Sequence, residues 1–479
     1  MSAPVGLQIM DGRLNFRPSG RRDHLAAFVL LLAFVLAGWK ISTRLPTANF
    51  QVTQPQQTPS SLAVTDKTAR TLPAAGQPEQ LSQDGRFRFN AQFVSAAPGQ
   101  AVHAASLVEL NDGRLQAVWF SGSREGAGDV TIQTSVMDSV TQLWGVEKTL
   151  FDREQIERGL WRYVKKLGNP VIARAPDGSL MLWMVTVSIG GWAGSAITWS
   201  RSIDEGVNWS APRRLVTSPF LNISTLVKSL PVALADGQMA LPVYHEFATK
   251  FGEILRIDSH GQVVDKTRIP GSHTSLQPVM LVAGPERAQI YMRSAGSPTV
   301  KTSRTDDAGQ TWSSAQASNL PNPDSALAGV VTGTGEQWLA LNPMPAGRET
   351  LALLKAGPNG SNGRFDVASA FVVEPPTAAQ GGPSIADYER QLGDELKAQG
   401  ASDAQVRAYV ASARRQLCGP TSCAREFSYP YLLQSRDGYI HLVYTWHRTR
   451  IKHLRLDPLQ PLLTATATVV APKNASPAN

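Results

Sequence analysis

Two eight-residue stretches of this chain repeat one pattern: Ser202-Ile203-Asp204-Glu205-Gly206-Val207-Asn208-Trp209 and Thr305-Asp306-Asp307-Ala308-Gly309-Gln310-Thr311-Trp312. Both read Ser/Thr-x-Asp-x-Gly-x-Asn/Thr-Trp. Ser/Thr and Asp oxygens cap the amides of a tight turn, Gly takes a backbone conformation closed to other residues, and Trp clamps the turn onto the sheet behind it. A turn that recurs with its clamp implies a sheet unit that recurs, so the fold is expected to be built from copies of one small sheet.

Further turns mark the other copies. They fall at Asp112-Gly113, Asp177-Gly178, Asp236-Gly237, Gly284-Pro285-Glu286, Gly333-Thr334-Gly335 and Asp437-Gly438. Each lies between two strand-like runs, as in SLVELNDGRLQAVWF and YLLQSRDGYIHLVYT, which is the hairpin pattern. Six hairpins predict six blades, an all-β six-bladed propeller over 87–465. Successive turns lie about 50 to 65 residues apart, room for a four-stranded blade, except before the last. There an insertion over 376–424 is poor in strand formers, and Ser402-Asp403-Ala404-Gln405 reads as a capping box, so two short helices are expected, as a lid or docking element. The 11 Trp, 39 Gly and 32 Pro suit many short strands and tight turns.

Before the propeller the chain reads differently. Residues 1–24 are basic, with Arg13, Arg17, Arg21 and Arg22, and the apolar run LAAFVLLLAFVLAGW starts at Leu25. Residues 25–42 are expected to be a transmembrane signal-anchor or a signal peptide, with the N-terminus cytoplasmic and the propeller on the extracytoplasmic side, or secreted after cleavage. Residues 43–86, rich in Gln, Pro, Thr, Ser and Ala, read as a flexible linker, and 466–479 as a disordered tail. Cys418 and Cys423, the two cysteines, are expected to close a small-loop disulfide in an exported protein. The net charge of +8 is spread without a dense Lys/Arg run in the folded part, so no nucleic-acid partner is expected; an acidic sugar suits the same balance. No metal motif or cofactor is expected.

Hairpin geometry places a candidate site. Positions nine or ten before each turn Gly and about seven after it meet at one rim. The first set is His103, Gly168 with Asn169, Lys228, Gln277, Asp324 with Ser325, and Tyr429. The second set includes Tyr244, Arg293 and Asn342 and continues into Arg124, His245, Glu246, Arg348 and His447. Titratable groups crowd this rim, where a purely structural sheet has no need of them. His447, Arg448, Arg450, Lys452 and His453 form a basic run on the last strand, of which alternation sends only some to the mouth.

Over 87–457 the Asp-box turns and the rim residues together resemble the sialidase (neuraminidase) superfamily of BNR-repeat propellers. The resemblance implies that Ser123-Arg124-Glu125-Gly126-Ala127-Gly128-Asp129 supplies a first-blade Arg and the acid/base Asp129. It further implies that Arg293 and Arg348 clamp a substrate carboxylate and that Tyr429, in Phe427-Ser428-Tyr429-Pro430-Tyr431, is the nucleophile. A phenol suits a sugar that carries its own carboxylate, which would repel a carboxylate nucleophile. The family's first carboxylate-binding Arg falls at His103 and its tyrosine-activating Glu at Gln277. Gln accepts no proton, so His103, His245 or Glu246 would replace that base, or the reaction differs. Lys228 and Tyr244 join the set as substrate-binding candidates on geometry alone. Three functions follow: an exo-glycosidase acting on a terminal acidic sugar, a propeller-type polysaccharide lyase using Tyr429 with a histidine on a uronate, and a non-catalytic glycan-binding or envelope-assembly protein.

Overall fold

Six antiparallel sheets succeed one another along the chain in a computed structural model that describes residues 21–42, 47–52, 80–81, 88–218, 222–357, 365–376 and 382–458. Blade 1 holds strands Ala101–Glu109, Leu115–Gly122, Thr131–Met137 and Lys148–Phe151, and blade 2 holds Lys166–Arg174, Leu180–Val187, Ser195–Ser202 and Arg213–Arg214. Blade 3 runs from Leu226 to Arg268, blade 4 from Ser275 to Pro321 and blade 5 from Ala328 to Glu374. The expected six-bladed propeller is the observed fold.

Blade 6 is shared between the two ends of the chain. Phe427–Gln434, Ile440–Trp446 and Arg450–Leu456 come from the C-terminal side, and Arg88–Phe93 adds the next strand, in register from Phe89↔Leu456 to Phe93↔Lys452. This pairing closes the ring and covers an edge that would otherwise be free. A side-chain relay crosses the same seam. Trp144 Nε1–H donates to His453 Nδ1 at 3.1 Å, so the proton of His453 lies on Nε2 and faces His441 Nδ1 at 3.0 Å. His441 Nε2–H is then the donor to Ser435 Oγ at 2.9 Å.

Each Asp box lies between the third and fourth strands of its blade, at the ends opposite the rim. Ser202 Oγ donates to Asp204 and accepts from Gly206 N, while Asp204 accepts from Asn208 N at 2.9 Å; Thr305, Asp307, Gly309 and Thr311 repeat these bonds. Gly206 and Gly309 have φ of 80° and 84°, which explains the invariant place of Gly in the two copies.

The insertion forms the two expected helices, with α1 (Arg21–Ser42) and α2 (Arg153–Leu160) preceding them. These are α3 (Ile385–Ala398), capped by Ser384, and α4 (Asp403–Leu417), started by the Ser402/Gln405 capping box, with the Cys418–Cys423 disulfide after it. Tyr388, Leu392, Leu396 and Tyr409 are buried in one cluster with Phe427, Tyr444 and Trp446 of blade 6. Tyr409 Oη and Ser412 Oγ donate to the carbonyls of Ala96 and Gln100 just ahead of blade 1. The insertion is thus a buttress across the ring closure rather than a free-standing lid.

Two readings of the N-terminal part change. Among the described residues no helix is long and apolar enough to cross a membrane, so the span expected over 25–42 is not supported. The described apolar run of α1 extends from Leu25 to Leu36, below the roughly 17 residues a span needs. The linker expected over 43–86 is structured in part, since Gln80–Leu81 pairs with Arg88 and Phe89, and residues 47–52 lie on the propeller. Phe50 is 4% exposed among Leu234, Ile254, Met280 and Trp312, its N–H donates to Pro285 O, and Thr47 Oγ1 donates to Asp307 O of the second Asp box. A single large aromatic outweighs the polar composition around it. The rest of that linker and the tail expected over 466–479 lie outside the described residues. Phe50→Ala is expected to lower the stability of the propeller by about 3 kcal/mol, read as a reduced denaturant midpoint; an unchanged midpoint would show that the strap is not bound.

Candidate functional site

One backbone irregularity recurs at the inner end of the first strand in four blades. The register slips between His103 and Ser106, Gly168 and Val171, Leu276 and Val279, and Ser428 and Tyr431. Each slip contains a residue in the left-handed region, at φ of 55°, 42°, 52° and 52° for Ala104, Asn169, Gln277 and Tyr429. Three of these precede Pro, at Pro170, Pro278 and Pro430, where a right-handed α conformation is disfavoured. The bulge turns a side chain that alternation would bury in the sheet toward the shared mouth.

The side chains so aimed meet. Gln277 Nε2 donates to Tyr429 Oη at 3.4 Å and to Tyr244 Oη at 3.3 Å, and Asn169 Nδ2 donates to Tyr244 Oη at 3.2 Å. His103 lies against Tyr429 with ring centroids 4.1 Å apart and is 3% exposed. Neither His103 nitrogen has a hydrogen-bond partner among the described residues. Burial, reinforced by the charge of Arg448, pushes its pKa well below the usual imidazole value, so His103 is neutral. Burial likewise raises the Tyr244 phenol, with Tyr429 adding to it, and Tyr244 stays protonated.

Around this centre sit three guanidiniums, each with a carboxylate partner. Arg293 Nε lies 3.4 Å from Asp324, and Arg293 Nη1 donates to the Asp324 carbonyl. Burial opposes the charge of Arg293, but Tyr429, Asp324 and neighbouring acids outweigh it and raise its pKa. Arg348 and Arg448 share Glu426, at 3.3 and 2.8 Å. Burial alone would raise Glu426; the Arg448 charge and hydrogen bond, with Arg348, hold it at about 2. Lys228 is buried and donates to Leu327 O and Pro430 O, fixing the Tyr429 bulge from below, and burial with the Arg293 charge lowers it to about 7. Glu246 is raised by burial and lies in the field of Arg293 and Asp324.

The structure therefore brings together His103, Lys228, Tyr244, Glu246, Gln277, Arg293, Arg348 and Tyr429 of the expected set. Three others stand apart from the contacts that join them. His245 pairs with Glu253 at 3.0 Å and stacks on Phe251, because alternation turns it to the other side of its strand from Glu246. Arg124 is exposed on its loop. Asp129 is also exposed and accepts from Ser123 N and Ser123 Oγ, both at 3.0 Å, closing that loop. Glu426, Arg448 and Glu125 are additions to the site residues, and Asn169, already on the expected rim, joins the contacts through Tyr244. Asn169-Pro170 was legible as a repeat of Gln277-Pro278 and Tyr429-Pro430, whereas the reach of Arg448 depends on a turn described below. Among the described residues no three His, Cys, Asp or Glu side chains form a metal-binding group.

A closed six-bladed propeller whose mouth joins a tyrosine to several arginines defines a sialidase-like BNR propeller. The model of the BNR repeat-like domain family matches residues 113–442, and the chain belongs to that family. Solved structures with the same fold include a Hadza microbial sialidase, 14% identical with a TM-score of 0.52 over 74% of this chain and 65% of that one. The NanB sialidase of Streptococcus pneumoniae is 10% identical, with a TM-score of 0.55 over 77% of this chain and 70% of that one. The intramolecular trans-sialidase of Ruminococcus gnavus is 13% identical, with a TM-score of 0.53 over 77% and 97%. No curated protein matches by sequence. At these identities the likeness establishes the fold.

The buried histidines set a pH dependence. His103, His441, His447 and His453 are all held below the ordinary imidazole pKa, chiefly by burial, His441 at about 3. An unfolded imidazole takes up a proton below about pH 6.5 while these do not, so their full contribution is present above that pH and is lost as the pH falls toward the folded values. Urea unfolding is expected to give a lower midpoint at pH 5 than at pH 7.5, the unfolding free energy falling by up to about 1.4 kcal/mol per pH unit for each such histidine. Equal midpoints would place these imidazoles in contact with water.

Proposed function

We propose that the protein is an exo-glycosidase that hydrolyses a terminal acidic sugar, a sialic acid or related nonulosonic acid, from a glycan. The observation that carries this reading is the convergence of Tyr429, Gln277 and the buried His103 ring on one mouth walled by Arg293, Arg348 and Arg448. Arg293 and Arg348 present guanidinium forks to the sugar carboxylate. Tyr429 Oη attacks the anomeric carbon as His103 takes the phenolic proton, the glycosidic C–O bond breaks, and Asp129 protonates the departing oxygen. Water, deprotonated by Asp129, then displaces the phenolate, which recovers its proton from His103. Gln277, which cannot act as a base, donates its N–H to the phenol oxygen and so favours the phenolate.

A second reading is supported by the Asp129 carboxylate, which is committed to Ser123. A lyase acting on a uronate polysaccharide needs the His103–Tyr429 pair and a cationic partner for the carboxylate, but no Asp129. For either reaction we infer a location outside the cytoplasm, a reading supported by the Cys418–Cys423 disulfide.

Incubation of the protein with panels of acidic glycans separates these readings. Free acidic sugar is the expected product; unsaturated, ultraviolet-absorbing ends would replace hydrolysis by elimination, and binding without either product would leave a glycan-binding protein. Tyr429→Phe and His103→Phe are each expected to cut turnover by about 10²- to 10⁴-fold, with the melting temperature showing that the fold persists. Full activity in both variants would remove the site from consideration.

A further inference from the structure

We propose that Arg448 is the guanidinium that receives the ligand carboxylate most directly, that the helical insertion holds it in the mouth, and that Glu125 occupies its place until the ligand arrives. This rests on the reading of the mouth as a site for an acidic sugar. It begins from the turn joining the last two strands of blade 6.

His447 and Arg448 have φ of 50° and 53°, two successive left-handed residues, and Thr449 N–H donates to Trp446 O at 3.1 Å. Such hairpin turns favour Asn-Gly, because few other residues accept this backbone without strain. A His-Arg pair there is a choice of side chains over backbone ease, and each side chain has a use. His447 is 3% exposed, packs against Phe427 and Trp446, and bonds Tyr388 Oη of α3 through Nδ1 at 2.8 Å. Its N–H donates to Glu426 O. The Arg448 carbonyl accepts from Val102 N at 3.0 Å and from Gln416 Nε2 of α4 at 3.3 Å. Both helices of the insertion thus reach the strained turn, from which Arg448 enters the mouth.

The two acids that hold Arg448 differ in kind. Glu426 is buried, accepts from Arg448 Nε at 2.8 Å and from Ser428 Oγ at 2.6 Å, and is a fixed part of the wall. Glu125 accepts from Arg448 Nη1 at 3.2 Å, its side chain is 36% exposed, and it rides on the loop that Asp129 closes. A longer bond from a partly hydrated acid on a loop is the one a ligand carboxylate can replace, because it offers the same oxygen pair to the same fork. Arg448 also stands where such a ligand is needed: among charged groups it acts most strongly on His103, and it lies in the field of Tyr429.

The test is calorimetric binding to the full chain with N-acetylneuraminic acid and glucuronic acid as probes, each beside its methyl ester. Arg448→Gln is expected to weaken acid binding about tenfold or more and to leave the esters unchanged. Glu125→Gln is expected to tighten acid binding about threefold, and that gain should vanish when Arg448→Gln is also present, since two groups in direct contact are coupled. Tyr388→Phe, which removes one oxygen from the insertion, should weaken acid binding severalfold while ester binding holds. Wild-type binding that Arg448→Gln leaves intact would overturn this inference alone. A Glu125→Gln gain that survives without Arg448 would reduce Glu125 to general repulsion and overturn its place as occupant, and an unaltered Tyr388→Phe would remove the insertion from the device. Failure of the wild type to bind either acid would overturn the reading of the mouth itself, and this inference with it.

Discussion

Every feature of the mouth depends on the ladder between Arg88–Phe93 and Arg450–Leu456. A propeller mouth is a site only while all blades face one axis, and an open ring would let blades 1 and 6 splay apart. Those blades carry His103 and Tyr429, whose rings touch across the seam. The seam is accordingly reinforced three ways, by the strand ladder, by the Trp144–His453–His441–Ser435 relay, and by the α3–α4 buttress with Tyr409 on Ala96 O. The insertion therefore serves stability and the site by one placement, because the residues that cover the closure also touch the turn bearing Arg448.

Backbone strain is the second common thread. Left-handed non-glycine residues each cost on the order of 1–3 kcal/mol, and six of the thirteen among the described residues, Ala104, Asn169, Gln277, Tyr429, His447 and Arg448, lie at the mouth end of their blades. The sheet absorbs this cost through the large cores on either side, where Trp119, Trp183, Tyr244 and Tyr431 share one buried cluster. An ideal strand would present its inner residues to the neighbouring blades. The bulge instead points one residue per affected blade along the axis, so strain is traded for convergence.

Much of this was readable from the chain and some was not. Local signals carried the architecture: Asp-Gly turns, the two Asp boxes, the Ser402/Gln405 cap and the close cysteine pair each act within a few residues and reappear in the fold. The rim arithmetic found Gln277, Arg293 and Tyr429 because hairpin geometry repeats from blade to blade. It missed Arg448 and Glu426, which reach the mouth through a strained turn and a bulged strand start that break the period. It also could not separate His245 from Glu246, since one residue of offset decides which side of the strand each one faces. Phe50 was hidden by its polar neighbours, and α2 by its brevity, although Asp152 and Gln155 form a capping box.

Charge in the mouth follows a different rule from charge on the chain as a whole. The net +8 of the sequence suggests a cationic funnel, yet Arg293, Arg348 and Arg448 each face a carboxylate of the protein's own. Buried guanidiniums without partners would be costly in the empty protein, so internal acids hold them charged and oriented. An incoming anion then gains only the difference between its own bonds and those it displaces. On the proposed reading of the mouth, selectivity would come from fit to the fixed forks, with Glu426 as wall and Glu125 as the exchangeable member, and not from net attraction. On that reading a neutral sugar that displaced Glu125 would leave Arg448 a fork short of a partner, so a mouth balanced in this way would discriminate in favour of a carboxylate.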